Sequence, residues 1–394
     1  MERLMIKGDS VSSKKRKATT TSTKKPTPKT YDDVLLASSW SSLPYDLQAM
    51  IVARVPILYY RTLSLVSKSF LSMVASPELY KARSLLGLTE SCLYVCLRFG
   101  FGSYKWHTLV SSKSSGGYVL ARVPVPDDDS PCVVGSGDLV AVGSDIYNIG
   151  THLPHTSGVS ILDCKSHTWR KAPSMPVELE SLSASVLDRE IYVLGRRYHR
   201  DGYWKNSFEV FNTNTQTWDI PCHGLDCPGV TYIIDGKLHA VTLFDMVFAF
   251  NSKQGRWDLV EQHRMLTDST CSESCCEIDN VLYSVSNDRA LRWYDTDKTM
   301  WRDLKGLVGL PKFPTPGHGS FVKLTGYGGG KMMVFWNRNL STDVFQKDTI
   351  FCAEIALERR NGDCCDIWGK LEWCDGVLSV PVATEFVKVL AVTL

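Results

Sequence analysis

The sequence predicts a mainly β fold, a β-propeller of about six blades, preceded by a small three-helix module and a disordered N-terminal tail. The first observation behind this prediction is a sequence unit that recurs four times between residues 142 and 301. The second is the tryptophan near the end of each unit (Trp169, Trp218, Trp257 and Trp301), with spacings of 49, 39 and 44 residues. The third is the change near residue 90 from helical periodicity to short β-type runs separated by Gly, Asp, Asn and Pro.

The repeated unit has the pattern of a four-stranded sheet. It contains an apolar strand, a turn with Asp, a second apolar strand, a loop, a third strand ending in Asp or Asn, and a strand opening with Trp. In one example, Val186–Gly195 leads to Phe208–Asn212 and then to Thr217–Trp218. Four-stranded units at such periods predict radial blades, since only a ring buries both faces of each unit. We expect each Trp to fill the gap between neighbouring blades, where truncation to Ala costs about 3–5 kcal/mol.

Two further blades complete the predicted ring. A longer unit extends from Gly319 to about Trp373. Leu93–Leu97 and Lys105–Leu109 have the pattern of the last two strands of another blade, and Gly376–Val380 and Phe386–Val392 have the pattern of its missing first strands. The two ends of the chain are therefore expected to pair and to close the ring.

Residues 41–88 have the periodicity of short amphipathic helices. Leu43, Leu47, Met50, Ile51 and Val55 fall on one helical face. A second apolar stripe and a third short helix follow, comprising Leu58, Leu63, Val66, Phe70, Met73 and Val74, and then Leu79, Ala82, Leu85 and Leu86. Three short helices in about fifty residues bury too little surface to be very stable alone. We therefore expect part of this apolar surface to need a partner.

Residues 1–40 are predicted to be a disordered basic tail, ahead of the helical module at 41–88 and the propeller at 89–394. The tail has nine Lys and Arg against four Asp and Glu, and much of it consists of Lys, Ser, Thr and Pro. The basic runs 14–17 and 24–25 fit a nuclear import signal, although a solvating tail has the same composition.

Composition and charge exclude several classes of protein. The net charge is only +2, and residues 41–394 are slightly acidic, so we expect no binding of nucleic acid by the folded part. The sequence has neither a secretory signal nor an apolar run of 18 residues, so we expect no membrane association. The 13 cysteines are scattered and odd in number. They indicate reduced thiols in the cytoplasm, the nucleus or both.

No motif predicts a catalytic centre or a cofactor. Gly326–Lys331 resembles a phosphate-binding loop, but Met332 stands where Ser or Thr binds magnesium, and a strand follows, so we expect a turn. A zinc site would have to combine Cys271, Cys275 and Cys276 with Cys364, Cys365, His152 or His155 from distant blades. A copper oxidase needs paired His and Tyr ligands on converging loops, whereas the nine His are scattered. We therefore expect no enzyme, no cofactor and no metal.

Several stretches resemble known families. Ser42–Leu47 together with Leu65–Phe70 resembles an F-box, and the repeats resemble kelch motifs. The combination, over residues 41–394, is similar to the plant F-box/kelch-repeat proteins. The usual double glycine after the second strand is absent, since Gly150 and Gly195 stand alone.

The resemblance implies a function in protein degradation. In such families the F-box docks on a Skp-type adaptor, which sits on a cullin, and the propeller holds a protein substrate for ubiquitin transfer by another subunit. The resemblance assigns the adaptor contacts or their supports to Leu43, Pro44, Leu47, Ile51 and Phe70. These residues could instead form only the core of the helical module, and the whole chain could be a kelch scaffold without a ligase.

The substrate is expected at the loops that join second and third strands, because these loops cluster at one end of the ring. Two such loops are Arg196–Lys205 and Asn337–Asp343, and the first is rich in Arg, Tyr and Trp, which are common at interface hot spots. The residues predicted to contact the substrate are Arg197, Arg200, Tyr203, Trp204 and, as a lesser candidate, Arg338. A basic loop favours an acidic or phosphorylated partner. The alternative is a solvated loop whose Trp204 folds back onto its own blade.

Overall fold

The computed structural model describes residues 40–100, 103–112, 117–125, 139–150, 157–198, 201–221, 225, 229–242, 246–260, 274–314, 321–339, 347–360, 366–382 and 384–394. The predicted tail, with its basic runs, lies outside the described residues except for residue 40. No helix in the described part of the chain is long and apolar enough to cross a membrane.

The helical module contains four short α-helices and one turn of 3-10 helix. They are α1 (Tyr45–Val52), the 3-10 turn Ile57–Tyr59, α2 (Tyr60–Leu63), α3 (Lys68–Val74) and α4 (Pro77–Leu85). The second of the three predicted helices is therefore divided, because the Ser67 hydroxyl caps α3 by accepting a hydrogen bond from the Phe70 amide. Ser76 caps α4 in the same way, with Pro77 in its first turn.

The first half of the propeller contains the strands β1 to β11. Three strands of blade 1 are β1 (Ser91–Phe99), β2 (Ser103–Ser111) and β3 (Tyr118–Arg122). Blade 2 contains β4 (Leu139–Val142), β5 (Asp145–Ile149), β6 (Val159–Asp163) and β7 (Thr168–Ala172). Blade 3 contains β8 (Glu180–Leu187), β9 (Glu190–Tyr198), β10 (Trp204–Asn212) and β11 (Thr217–Asp219). All strand pairs within these blades are antiparallel.

The second half contains the remaining strands. Blade 4 contains β12 (Gly229–Ile234), β13 (Lys237–Thr242), β14 (Val247–Asn251) and β15 (Arg256–Leu259). Blade 5 contains β16 (Cys276–Ile278), β17 (Val281–Val285), β18 (Leu291–Asp295) and β19 (Met300–Asp303). Blade 6 contains β20 (Val322–Tyr327), β21 (Lys331–Asn339), β22 (Lys347–Arg360) and β23 (Asp366–Pro381), and β24 (Glu385–Thr393) completes blade 1. The described strands thus form six four-stranded blades, as predicted.

The chain ends close the ring in blade 1, which confirms the predicted pairing. β24 runs antiparallel to β1, with Ser91 opposite Thr393 and Arg98 opposite Glu385. The prediction for Gly376–Val380 was wrong, because this segment continues β23 along β22 in blade 6. The segments predicted as the last two strands of the closing blade, which lie in β1 and β2, are its second and third strands, since β3 follows them at the outer edge.

The repeated tryptophans lie between blades, as the pattern predicted. Trp169 packs near Trp106 of the preceding blade, and Trp257 meets Phe208 edge-on with ring centroids 4.9 Å apart. The Trp218 indole N–H donates to the Pro173 carbonyl at 2.8 Å. All four repeated tryptophans are only half-buried. Their truncation is therefore expected to cost less than predicted, about 2–3 kcal/mol.

The two ends of the ring can be distinguished by their turns. The lower face is the end of the ring where the first strand of each blade turns into the second. The upper face is the end where the second strand leads to the third. The chain leaves the helical module through Glu90 and enters β1 at the lower face, where β24 ends. The β9–β10 and β21–β22 connections lie at the opposite end.

The glycine-rich segment after β20 forms the predicted turn between two strands. Gly329 and Gly330 have φ angles of 68° and 73°, a left-handed conformation that β-branched or bulky residues rarely adopt. Among the described residues no cluster of His, Cys, Asp and Glu could hold a metal ion. Cys271, Cys364, Cys365, His152 and His155 lie outside the described residues.

Candidate protein-interaction surfaces

The helical module buries only one side of its helices. Ala49, Val52, Ala53, Met73 and Leu79 are buried. Tyr60 and Tyr80 are buried as well, and α1, α3 and α4 are between seven and nine residues long. The buried set is therefore small, as expected for about fifty residues.

Many large apolar side chains remain exposed on these helices and on the segments between them. Leu65 is 80% exposed, Val66 64%, Leu47 47% and Ile51 46%. The other large apolar side chains that are exposed in the module are Tyr45, Met50, Tyr59, Leu71, Leu85 and Leu88. A concentration of exposed apolar side chains of this kind marks a surface for a protein partner.

The five predicted adaptor residues differ in their burial. Pro44, Leu47 and Ile51 are exposed, whereas Leu43 and Phe70 are partly buried. The contact of these residues with an adaptor stays a prediction. Leu65 and Val66 were not among the predicted adaptor residues, although Val66 was placed in the second apolar stripe and both lie in the segment that resembles an F-box. The sequence contained one sign of this exposure. Ser67 caps the helix that follows it, so Leu65 and Val66, directly before the cap, lie in a linker.

A buried arginine joins the helical module to the propeller. Arg83 is fully buried, and its guanidinium donates to the carbonyls of Ala53, Val55 and Leu88 and to the Tyr60 hydroxyl. It also donates to the Glu90 carboxylate at 2.8 Å.

Glu90 in turn contacts both the helical module and the end of the chain. Its second carboxylate oxygen accepts the Ile57 amide N–H at 3.0 Å. Its backbone N–H and carbonyl pair with the backbone of Leu394, at 2.8 and 2.9 Å. Tyr80 packs in the same apolar cluster as Tyr94 and Ile146 of the blades. Residues 49–90 therefore meet the lower face through a packed and hydrogen-bonded junction.

Of the four candidate substrate residues of blade 3, two lie on strands and one lies in the connecting turn. Arg197 is in β9, and Trp204 opens β10 and pairs with Tyr198. Only Tyr203 lies in the connecting turn, where it is exposed, and Arg200 lies outside the described residues. Arg338, which is exposed, is likewise a strand residue, near the end of β21.

The β9–β10 hairpin carries an aromatic and cationic cluster at the upper face. The rings of Tyr198 and Trp204 meet edge-on, with centroids 5.2 Å apart. The Arg196 guanidinium lies over the Trp204 ring, 4.8 Å from its centroid. Trp204 nevertheless remains 44% exposed. Trp204 therefore packs on its own blade and still presents a face to solvent, and its contact with a substrate stays a prediction.

The same hairpin also carries a buried acid. Glu209 of β10 is fully buried, and neither of its carboxylate oxygens has a hydrogen-bond partner in the described structure. Burial raises the pKa of Glu209 to about 7, although the positive charge of Arg197 acts to lower it. The attraction between Arg197 and Glu209 therefore offsets part of the cost of burying this carboxylate.

Two family models match the chain. The FKB95, Kelch-repeats domain matches residues 104–378, and the F-box domain matches residues 40–82. The chain belongs to the F-box/kelch-repeat family. Three F-box/kelch-repeat proteins of Arabidopsis thaliana are 48%, 47% and 47% identical to it. The alignments cover 90%, 90% and 91% of this chain and 100%, 93% and 94% of those proteins.

Each of the two candidate surfaces, on the helical module and on the β9–β10 hairpin, lies within one of the family matches. The F-box match covers the exposed apolar residues from Tyr45 to Leu71, and the kelch match covers the β9–β10 hairpin. The strands β1 and β24, which close the ring, lie outside the kelch match. The structure therefore shows a part of the propeller to which the family model does not extend.

Proposed function

We propose that this F-box/kelch-repeat protein is the substrate-recognition subunit of a Skp-cullin-F-box ubiquitin ligase. The F-box binds a Skp-type adaptor and through it a cullin, and the propeller holds a protein substrate. Ubiquitin transfer is carried out by another subunit, so the chain itself needs no catalytic residue. The observation that carries this proposal is the set of large apolar side chains that the F-box leaves exposed, whereas the blades of the propeller bury most of theirs.

The adaptor interface has an energetic rationale. Burying apolar surface stabilises a complex by about 25 cal/mol for each Å² removed from water. The exposed apolar side chains that an adaptor would remove from water are Leu47, Ile51, Leu65 and Val66. Pro44 is exposed as well, whereas Leu43 and Phe70 are partly buried, and all three are proposed as adaptor contacts or as supports of such contacts.

The substrate is proposed to bind at the upper face. Arg and aromatic side chains are the types most often found at interface hot spots, and the β9–β10 hairpin presents both on a rigid strand pair. The proposed contacts are Arg197, Arg200, Tyr203, Trp204 and Arg338. Residues 49–90 join the propeller at the opposite end. The substrate therefore has access to the upper face without competing with the junction.

The experiment that tests this function is recovery of the adaptor. The full-length protein is expressed with an affinity tag in plant cells, and co-purified proteins are identified by mass spectrometry. The proposal predicts a Skp-type adaptor and a cullin at near-stoichiometric amounts. A folded protein that recovers neither would support a kelch scaffold without a ligase.

Substrate binding is tested separately with an upper-face variant. Replacing Arg197, Arg200 and Trp204 together with Ala is predicted to abolish ubiquitination of the co-purified substrate and to leave adaptor recovery unchanged. Lys253→Ala, an exposed residue in the β14–β15 turn at the lower face, is the matched control. Normal ubiquitination by the triple variant would place substrate recognition elsewhere.

A further inference from the structure

Pro56 ends α1 and leaves backbone groups there that no helical hydrogen bond satisfies. Proline lacks an amide hydrogen, and its ring disfavours a helical conformation of the residue before it. In a continuous helix the Ala53 carbonyl would accept from the Ile57 amide, four residues further on. In the structure the Ile57 amide instead donates to the Glu90 carboxylate at 3.0 Å. Side chains must therefore satisfy the carbonyls at this break in the helix.

Arg83 of α4 supplies the donors for this break. Its Nη1 atom donates to the carbonyls of Ala53 and Val55, at 2.7 and 2.9 Å. The same atom donates to the Tyr60 hydroxyl at 3.1 Å, and that hydroxyl donates to the Val52 carbonyl. The guanidinium of Arg83 thereby joins the end of α1 to the start of α2.

Glu90 connects this arginine to the propeller. The Nη2 atom of Arg83 donates to the Glu90 carboxylate and to the Leu88 carbonyl. The backbone of Glu90 pairs in both directions with the backbone of Leu394, directly after β24. The end of α1 is therefore linked, through two side chains, to the blade that closes the ring.

A second side chain of α4, that of Tyr80, makes a similar link for α3. Its hydroxyl donates to the carbonyl of Val74, the last residue of α3, at 3.0 Å. Its ring packs in the same apolar cluster as Tyr94, and the Lys165 ammonium lies over it, 5.7 Å from the ring centroid. The helix α4 therefore supports the other three helices, and the propeller fixes its own position.

The segments held in this way carry exposed apolar side chains. Ile51 lies in the last turn of α1, and Leu65 and Val66 follow α2. Arg83 is fully buried, so a protein that binds these side chains acts on Arg83 only through the groups that it holds. Neither family model includes Arg83 or Glu90, since the F-box match ends at residue 82 and the kelch match begins at residue 104.

We propose that Arg83 and Glu90 are positioning residues for adaptor binding. They hold Ile51, Leu65 and Val66 in the arrangement that a Skp-type adaptor binds. This inference rests on the proposed function, since it concerns how the adaptor surface is held in place. Without the pair, the segments between α1 and α3 adopt other arrangements as well, and the apparent Kd rises as the binding-competent fraction falls.

The test measures the Kd of a purified Skp-type adaptor for full-length variants. Arg83→Met is expected to bind at least about ten-fold more weakly, which corresponds to a competent fraction of about one tenth. Arg83→Lys retains the charge but has fewer donors, so its Kd should lie between those of Arg83→Met and the unaltered protein. Glu90→Gln retains an acceptor oxygen without the charge and should weaken binding less than Arg83→Met does.

Two controls and a second readout separate positioning from a general loss of stability. Trp218→Ala, on the outer strand of blade 3, lowers stability away from the junction and should bind the adaptor normally. Arg256→Met, which removes an exposed arginine of β15, should also bind normally. In free Arg83→Met the Ile57 amide should exchange its hydrogen faster, and the adaptor complex should restore its protection. In Trp218→Ala this amide should stay protected in both states.

The outcomes distinguish a failure of this inference from a failure of the proposed function. The inference alone is overturned if folded Arg83→Met binds the adaptor as tightly as the unaltered protein, or if Trp218→Ala weakens binding as much. If Arg83→Met does not fold, the same criteria apply to Arg83→Lys and Glu90→Gln. An unaltered protein that binds no adaptor would overturn the proposed function and this inference together.

Discussion

The F-box helices and the propeller treat their apolar side chains in opposite ways. In the propeller, Trp336, Phe208 and Phe335 are almost completely buried in the apolar clusters. In the F-box, Leu65, Val66 and Leu85 are mainly exposed. A closed ring gives each sheet face a neighbour, whereas short helices cannot cover one another. The propeller therefore buries most of its large apolar side chains, whereas the F-box leaves several of them exposed.

The largest effect is expected from opening the ring. Deletion of residues 385–394 removes β24 from blade 1, exposes the edge of β1 and removes the backbone pair between Glu90 and Leu394. Exposed sheet edges promote aggregation. We predict an insoluble protein or the loss of a cooperative melting transition.

The control for this deletion is Val382→Ser, an exposed position just before β24. It should melt as the unaltered protein does. A soluble deletion variant with an unchanged melting temperature would show that the propeller does not need closure through its chain ends.

The next largest effect is expected at the junction between the two regions. Arg83→Met removes a buried cation that serves five acceptors and leaves Glu90 without its charged partner. Since the Glu90 side chain is 37% exposed, most of the cost comes from the buried acceptors that lose their donor, and we expect a loss of about 2–4 kcal/mol. Urea unfolding should show this loss.

Arg61→Met is the matched control, because Arg61 is exposed in the short helix α2. Its unfolding free energy should change by less than about 0.5 kcal/mol. If Arg83→Met proved equally mild, the junction would not stabilise the protein.

A smaller effect, with a defined pH dependence, is expected inside blade 3. The pKa of Glu209 is about 7 in the folded protein and 4.5 for an unperturbed Glu, so between these pH values the folded chain keeps a proton that the unfolded chain has lost. Stability therefore falls as the pH rises from about 4.5 to 7, and the penalty remains above pH 7. At pH 8, Glu209→Gln should be about 2–3 kcal/mol more stable than the unaltered protein.

This prediction is checked by melting curves from pH 5 to pH 8. Glu180→Gln, an exposed residue on the same blade, should retain the pH dependence of the unaltered protein. Identical pH profiles for Glu209→Gln and the unaltered protein would contradict the account of Glu209 as a buried, uncompensated acid.

Much of the propeller could be predicted from the sequence, because each blade repeats the same local requirements. Tyr192 and Phe208 alternate with residues of the opposite face, and Trp218 marks the outer strand. The assignment failed at Gly376–Val380. There β23 is 16 residues long and follows β22 through two register shifts, so no turn separates this segment from the strand before it.

The interaction surfaces were less predictable. Helical spacing identifies which residues share a face, but it does not show how much of that face the neighbouring helices cover, as Val66 illustrates. Arg197 and Trp204 were expected in a loop, yet cross-strand pairing extends β9 and β10 beyond the repeated core. Arg196 lines the channel that the six inner strands enclose. This position depends on how distant blades meet, and no local sequence pattern predicts it.

The most direct test of the contrast between the two regions is the affinity of a purified Skp-type adaptor for folded variants. Leu47→Asp and Val66→Asp place a charge on the exposed apolar surface of the F-box, and each is expected to lose about 2 kcal/mol or more, roughly thirty-fold in Kd. Trp204→Ala, on the upper face, should bind the adaptor as tightly as the unaltered protein. Undiminished binding by folded Leu47→Asp and Val66→Asp proteins would contradict the assignment of this surface to the adaptor.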